Sequence, residues 1–175
     1  LESLRAVLMV LAGLCTAAPD RIIYVDDDAT GTNDGTSWAN AFPFLQDALA
    51  AARGATDVHG TPEPVEIQIA EGVYRPDQGG GATPGNRETA FNIPTGAVLK
   101  GGYAGAKADN PNKRNLELYR TILSGDLKGN DAADSDVKNL ASDPTRSDNS
   151  TYVIISRDNS SATILDGLVI TGGTR

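Results

Sequence analysis

The chain has 175 residues, which is enough for one domain with a hydrophobic core. Its 15 Lys and Arg residues against 23 Asp and Glu residues give a net charge of -8. This charge disfavours nucleic acids and anionic membrane surfaces as partners. A polyanionic polysaccharide remains compatible with it, because a bound calcium ion would reverse the sign of the charge locally.

Residues 1–18 have the layout of a secretory signal peptide. One positive charge at Arg5 precedes an apolar run over residues 6–14, and small residues lead to Ala18, after which we expect cleavage. The apolar run is too short to span a membrane, although a buried N-terminal helix would also fit it. Cys15 lies in this segment, so the mature protein, residues 19–175, would have no disulfide and would be secreted or held at the cell surface.

One segment of the mature chain has helical spacing. Over residues 43–53 the apolar side chains, Leu45 and Leu49 among them, recur on one face. Pro43 suits the first helical position, where its missing N–H would have no partner, and Gly54 is a natural stop. We expect this helix to cover the first rung of a strand stack and to bury Leu45 and Leu49 there.

The other regular elements predicted are short strands. Residues 21–25 form the first, followed by a polar loop, and residues 163–173 read as two strands joined at Asp166-Gly167. Similar aliphatic runs that end in small or turn-forming residues occur at 65–74, 97–102, 121–126 and 152–156. Because no helical pattern follows residue 54, the series predicts stacked rungs of strand and not βαβ units.

Several of these segments carry a family resemblance. They are Tyr24-Val25-Asp26, Asn33-Asp34-Gly35-Thr36-Ser37-Trp38, Ala41-Phe42-Pro43-Phe44-Leu45-Gln46-Asp47-Ala48-Leu49 and the runs at 65–74, 99–103 and 121–126. In this order they resemble the opening of secreted pectin-lyase-like proteins. The resemblance implies an all-β fold, a right-handed single-stranded parallel β-helix with a short capping α-helix. The chain would be its N-terminal cap and first rungs, with further rungs after Arg175.

The loop after the first strand is the first candidate metal site. Asp26, Asp28, Asn33 and Asp34, with Asp27 between them, offer the hard oxygen ligands that Ca²⁺ prefers. The alternative is that these side chains bond their own backbone and hold turns, because their spacing matches no established calcium loop.

A second acidic segment allows the same two interpretations. It contains Asp126, Asn130, Asp131, Asp134 and Asp136. Its high polarity is typical of a solvated loop, so a calcium site and a loop without a ligand both fit it.

No catalytic residue is predicted within the chain. The resemblance implies that lyases of this family use an Arg or Lys base beside calcium-binding acids and that hydrolases use inward Asp residues, on rungs that would follow Arg175. Asp166 reads as a turn residue and Lys100 as a solvent-facing strand residue. His59 is the single histidine and lies in a polar loop, so we expect no Ser/His/Asp or zinc cluster. Trp38 would be either a sugar-stacking platform or a core anchor between the loop and the helix.

Three functions follow from these expectations. The first is recognition of extracellular polysaccharide, or adhesion, through loops at the corners of the coil. The second is the cap region of a calcium-dependent polysaccharide lyase or of a glycoside hydrolase. The third is a structural stalk without carbohydrate specificity, since this architecture serves many functions.

Overall fold

A computed structural model describes residues 21–55, 64–132, 140, 142–157 and 162–174. The predicted signal peptide and His59 lie outside these residues. The described elements are β1 (Arg21–Val25), α1 (Leu45–Arg53), β2 (Val65–Ala70), β3 (Gly72–Tyr74), β4 (Phe91–Ile93), β5 (Val98–Tyr103), β6 (Thr121–Ser124), a 3₁₀ helix (Pro144–Asp148), β7 (Ile154–Ser156), β8 (Ile164–Asp166) and β9 (Leu168–Thr171).

The strands form three parallel sheets. Their orders are β1-β2-β5-β8, β3-β6-β9 and β4-β7, and every strand pair runs parallel. From β2 to β9 the chain visits the three sheets in the same order on each pass. The described residues combine parallel sheets with one α-helix, which is an α/β composition. The predicted stack of parallel strands is therefore confirmed. The predicted all-β class is corrected to α/β because of the helix.

The registers align aliphatic side chains in columns. Ile23 pairs with Ile67, and Ile67 with Leu99, and all three side chains are buried. In the second sheet Tyr74 pairs with Leu123, and both face the same core. Side chains alternate along each strand, so every second residue faces the core, as Val65, Ile67 and Ile69 do in β2.

The α-helix begins two residues later than predicted. Phe44 precedes it in an extended conformation, with φ of -121° and no side-chain cap, so Pro43 lies outside the helix and not at its first position. Its end at Gly54 is confirmed. Leu45 and Leu49 are buried and belong to the same core as the strands of the first sheet.

Strand prediction succeeded where turn residues end a run. The Asp166-Gly167 break between β8 and β9 is confirmed, with Gly167 at φ +71°. The run at 97–102 was expected to end at its glycines, but β5 continues to Tyr103. There the Gly102 N–H donates to the Thr121 hydroxyl over 2.9 Å, which ties β5 to the next sheet. Strand β4 was not predicted.

We expect Leu45→Asp to lower the free energy of unfolding by about 2 to 5 kcal/mol, because it leaves an unpaired charge where a buried side chain packed. Ala50→Asp is the matched control, since Ala50 is exposed on the same helix and the change should cost less than about 1 kcal/mol. Equal melting temperatures for the two variants would contradict the packing role of Leu45.

Candidate functional site

The acidic turn, defined as Asp26, Asp27 and Asp28, directly follows β1. One carboxylate oxygen from each residue lies within 4.8 Å of the others. Asp26 is 2% exposed. Its Oδ1 accepts from the Asp28 N–H at 2.9 Å and its Oδ2 from the Ala106 N–H at 2.5 Å, so this carboxylate joins the turn to a loop far along the chain.

Two glycines allow the backbone to approach this turn closely. A Cβ at Gly72, at the start of β3, would lie 2.9 Å from the Asp27 carboxylate oxygens. A Cβ at Gly105, whose φ is +76°, would clash with Asp26 Oδ2. Both positions therefore require glycine, and the neighbouring strands and loops can enclose the carboxylates on two sides.

The charges of the turn are compensated unequally. The Lys107 ammonium lies 2.6 Å from Asp28 Oδ1. Burial, and then the charges of Asp28 and Asp26, raise the pKa of Asp27 above its ordinary 3.8. Like charges and partial desolvation thus work against ionised Asp27. Lys107 already supplies one cation to the turn, and a bound metal ion would compete with it for Asp28.

The other two predicted ligands serve a different local purpose. Asn33 adopts a left-handed conformation, with φ of +57°. Asp34 accepts from the Thr32 hydroxyl at 2.7 Å and from the Thr36 hydroxyl at 2.6 Å and N–H at 2.9 Å. These bonds hold a turn, as the alternative interpretation expects, and they lower the pKa of Asp34. The three acids brought within metal-binding distance of one another do not include Asp34.

A small cavity adjoins the acidic turn. Its volume is about 210 Å³. Asp27, Phe44, Tyr74, Arg75 and Gln78 are on its wall. Phe44 is 39% exposed, so an aromatic ring, a carboxylate and an amide are available around one concave surface. The Arg75 guanidinium is there too, with its Nε donating to the Asp126 carbonyl at 2.8 Å. Phe44, Arg75 and Gln78 were not predicted as site residues, because only the folded coil brings Asp27, Phe44 and the segment 75–78 together.

Tyr74 is part of the cavity wall and also of the core. It is 2% exposed, and its hydroxyl donates to the Ala70 carbonyl at 3.3 Å. Burial, and then the charge of Asp27, raise the pKa of Tyr74 well above 10.0. Its phenol therefore stays protonated and acts as a fixed wall of the cavity.

The second predicted acidic segment is described for Asp126, Asn130 and Asp131, while Asp134 and Asp136 lie outside the described residues. The Asp126 carboxylate accepts three backbone N–H groups, from Gly129 at 2.7 Å, Asn130 at 3.1 Å and Asp131 at 3.0 Å.

Asp131 of that segment accepts from the Arg146 guanidinium at 3.2 Å and from the Asn149 amide at 2.8 Å. These bonds go to Oδ2, whereas Asp131 Oδ1 is buried and has no hydrogen-bond partner among the described residues. Calcium in this segment stays a prediction.

The remaining residues considered from the sequence are structural. Trp38 is 7% exposed and its ring contacts Tyr24 and Tyr103, with centroids 4.9 and 5.4 Å away, so the core interpretation is confirmed. Its neighbours are these tyrosines and not the helix that was expected. Lys100 pairs with Glu66 at 2.7 Å.

Asp166 lies at the end of β8 and pairs with Arg114 at 2.8 Å. Its carboxylate therefore has a structural partner in addition to the turn position that the sequence predicted.

Comparisons with protein-family models, with curated proteins and with solved structures found no match to this chain. Across the residues that the structure describes, no helix has both the length and the apolar character needed to cross a membrane. Function is therefore inferred from the site residues themselves.

We expect Asp27→Asn to raise the melting temperature near neutral pH. The raised pKa of Asp27 means that its ionised form destabilises the fold, a cost that is absent below 3.8 and grows as pH rises through the folded-state pKa. The advantage of the variant should therefore vanish in acid.

Asp34→Asn is the matched control for that experiment. The lowered pKa of Asp34 stabilises the fold above 3.8 and is lost as pH falls, so this variant should melt lower near neutral pH. The same sign for both variants in thermal unfolding would contradict this account of the turn.

We expect Lys107→Ala to bind Ca²⁺ more tightly than the unchanged chain in calorimetric titrations, because the ion no longer displaces the ammonium from Asp28. Lys113→Ala removes a charge from an exposed lysine and should leave the titration unchanged. Absence of binding in all three proteins would refute the calcium prediction for the acidic turn.

Proposed function

We propose that the chain is part of a right-handed parallel β-helix, similar to the pectin-lyase-like proteins, that recognises extracellular polysaccharide on a secreted or surface-held protein. The repeated order in which the chain visits three parallel sheets supports the architecture. Crossover connections between parallel strands are right-handed in about 98% of cases, which supports the hand.

The cavity beside the acidic turn carries the functional part of the proposal. Its volume of about 210 Å³ is below the roughly 300–1,000 Å³ of sites for drug-sized molecules and suits one sugar ring. The exposed face of Phe44 can pack on the apolar face of that ring. Asp27, Arg75 and Gln78 on the same wall can exchange hydrogen bonds with its hydroxyl groups.

Calcium would be a further component of this site. Asp27 belongs both to the acidic turn and to the cavity wall, so the three carboxylates of the turn lie at the edge of the cavity. A bound ion would also let the site take an acidic sugar, because the ion would offset the repulsion between two carboxylates. The proposal of polysaccharide binding does not depend on this ion.

An enzyme is the second candidate. The chain would then be the cap region of a calcium-dependent polysaccharide lyase or of a glycoside hydrolase. The long polar segments between strands support a binding role more directly than an enzymatic one. The cavity offers an exposed aromatic ring and polar groups, whereas Lys100 and Asp166 are already in ion pairs.

We expect the chain to bind polysaccharide on a glycan array, and Phe44→Ala to weaken that binding about fivefold, since one aromatic contact of roughly 1 kcal/mol is lost. Leu118→Ala is the matched control, because Leu118 is exposed and is not on the cavity wall.

Turnover separates the two candidates. Release of unsaturated sugars, followed by ultraviolet absorbance with and without calcium, would identify a lyase. Binding without turnover supports recognition. If neither glycan binding nor turnover is detected, the proposal is overturned. The remaining function is then a structural stalk or adhesin without carbohydrate specificity.

A further inference from the structure

Three consecutive glycines form a turn next to the cavity of about 210 Å³ that Phe44 lines, the Phe44 cavity. Gly79, Gly80 and Gly81 have φ angles of +71°, +57° and +75°, in the left-handed region that other residues rarely adopt. The Ala82 N–H donates to the Gly79 carbonyl at 2.9 Å and closes the turn. This glycine turn directly follows the segment 75–78, which supplies two residues to the cavity wall.

The backbone of the glycine turn lies directly against Phe44. A Cβ at Gly79 would clash with Phe44 Cβ and would lie 2.8 Å from Phe44 Cγ, the first atom of the ring. A Cβ at Gly81, which has nearly the same φ, would meet no atom within 4 Å apart from its chain neighbours. Glycine at position 79 therefore allows a close approach to Phe44, whereas glycine at position 81 serves the backbone conformation alone.

The first turn of the helix holds the glycine turn in place. The Gly80 N–H donates to Asp47 Oδ1 at 2.8 Å. One residue earlier in the helix, the Gln46 amide donates to the Pro76 carbonyl at 2.6 Å. Phe44 directly precedes this helix, so the aromatic residue and the turn against which it packs are fixed to the same few residues.

The far end of the same loop is also bonded. The Gly85 N–H donates to Asp77 Oδ2 at 2.8 Å, and Asp77 is 4% exposed. Asp77 and Gln78 line a second cavity of about 550 Å³, and Gln78 lines the Phe44 cavity as well. Because carboxylates hold the loop at two points, its backbone can serve as a fixed support for Phe44.

We propose that the glycine turn positions the Phe44 ring for stacking on a sugar ring, with Gly79 and Asp47 as positioning residues. Phe44 is 39% exposed and adopts an extended conformation ahead of the helix, so its ring needs a support from outside the helix. An aromatic ring that is ordered before the ligand arrives loses less conformational entropy on binding. This inference rests on the proposed function and deepens it, because it names the residues that prepare the aromatic face.

Two glycines of the turn provide a matched pair of variants. Gly79→Ala and Gly81→Ala impose similar backbone strain, because the φ angles are +71° and +75°. Only Gly79→Ala places a methyl group against Phe44. In calorimetric titrations with cellohexaose and with a galacturonic acid hexamer, we expect Gly79→Ala to bind about fivefold more weakly than Gly81→Ala, as for the loss of one aromatic contact.

Asp47 provides a second pair. Asp47→Ala and Asp47→Asn both remove a charge from the first helical turn, but asparagine keeps an oxygen that can accept the Gly80 N–H. We expect the alanine variant to bind the same hexamer about threefold more weakly, and the asparagine variant to bind like the unchanged chain. Alanine has the higher helix propensity, so an effect of helix stability alone would act in the opposite direction.

A measurement without ligand completes the test. The ring protons of Phe44 should shift in NMR spectra of Gly79→Ala and keep their positions in Gly81→Ala. Unshifted ring protons in Gly79→Ala, or equal affinity within either folded pair, would overturn this inference and leave the proposed function standing. If Gly79→Ala does not fold, the Asp47 pair decides the question. Absence of binding to both hexamers and to every glycan on the array would overturn the proposed function as well.

Discussion

Parallel pairing in register is the constraint on which the rest of the structure depends. Each new strand must place an aliphatic side chain beside the one below it, as Ile67 does between Ile23 and Leu99. The backbone ladder and the buried column then strengthen each other, because a shift by one residue would turn the column outward. The connections between strands are under no such constraint, so their length and polarity are available for function.

The acidic turn shows how those connections are held. Asp26 is almost fully buried, and its carboxylate joins the turn after β1 to the backbone of Ala106. A buried charge is tolerated when backbone N–H groups compensate it, and here both oxygens have such a donor. Asp126 is compensated in the same way by three N–H groups. Carboxylates that the sequence suggested as metal ligands therefore also accept the hydrogen bonds that fix the loops.

Local sequence patterns predicted the helix and the strands, whereas contacts between residues remote in sequence form the candidate site. Leu45 and Leu49 could be assigned to the core because helical spacing is visible within a few residues. Trp38 could be placed in the core but not beside its true neighbours, since Tyr103 is remote in sequence. Helical spacing placed Phe44 on the apolar face with Leu45, but Phe44 precedes the helix and is 39% exposed. Gln78 gave no signal, because a residue lines a cavity only when coils stack. β4 has three residues, too few for alternation to show.

Asp27 and Asp77 illustrate two ways in which a carboxylate can be left unsatisfied. Partial desolvation, and then the negative charges of Asp28 and Asp26, raise the pKa of Asp27; a cation or a proton relieves this cost. Asp77 has a backbone donor for one oxygen, and its other, buried oxygen has no hydrogen-bond partner among the described residues. The two acids lie on adjacent cavities joined by Gln78. Both residues therefore keep an electrostatic cost in the folded chain that Asp26 and Asp126 avoid, because each of those two has backbone N–H donors to both carboxylate oxygens.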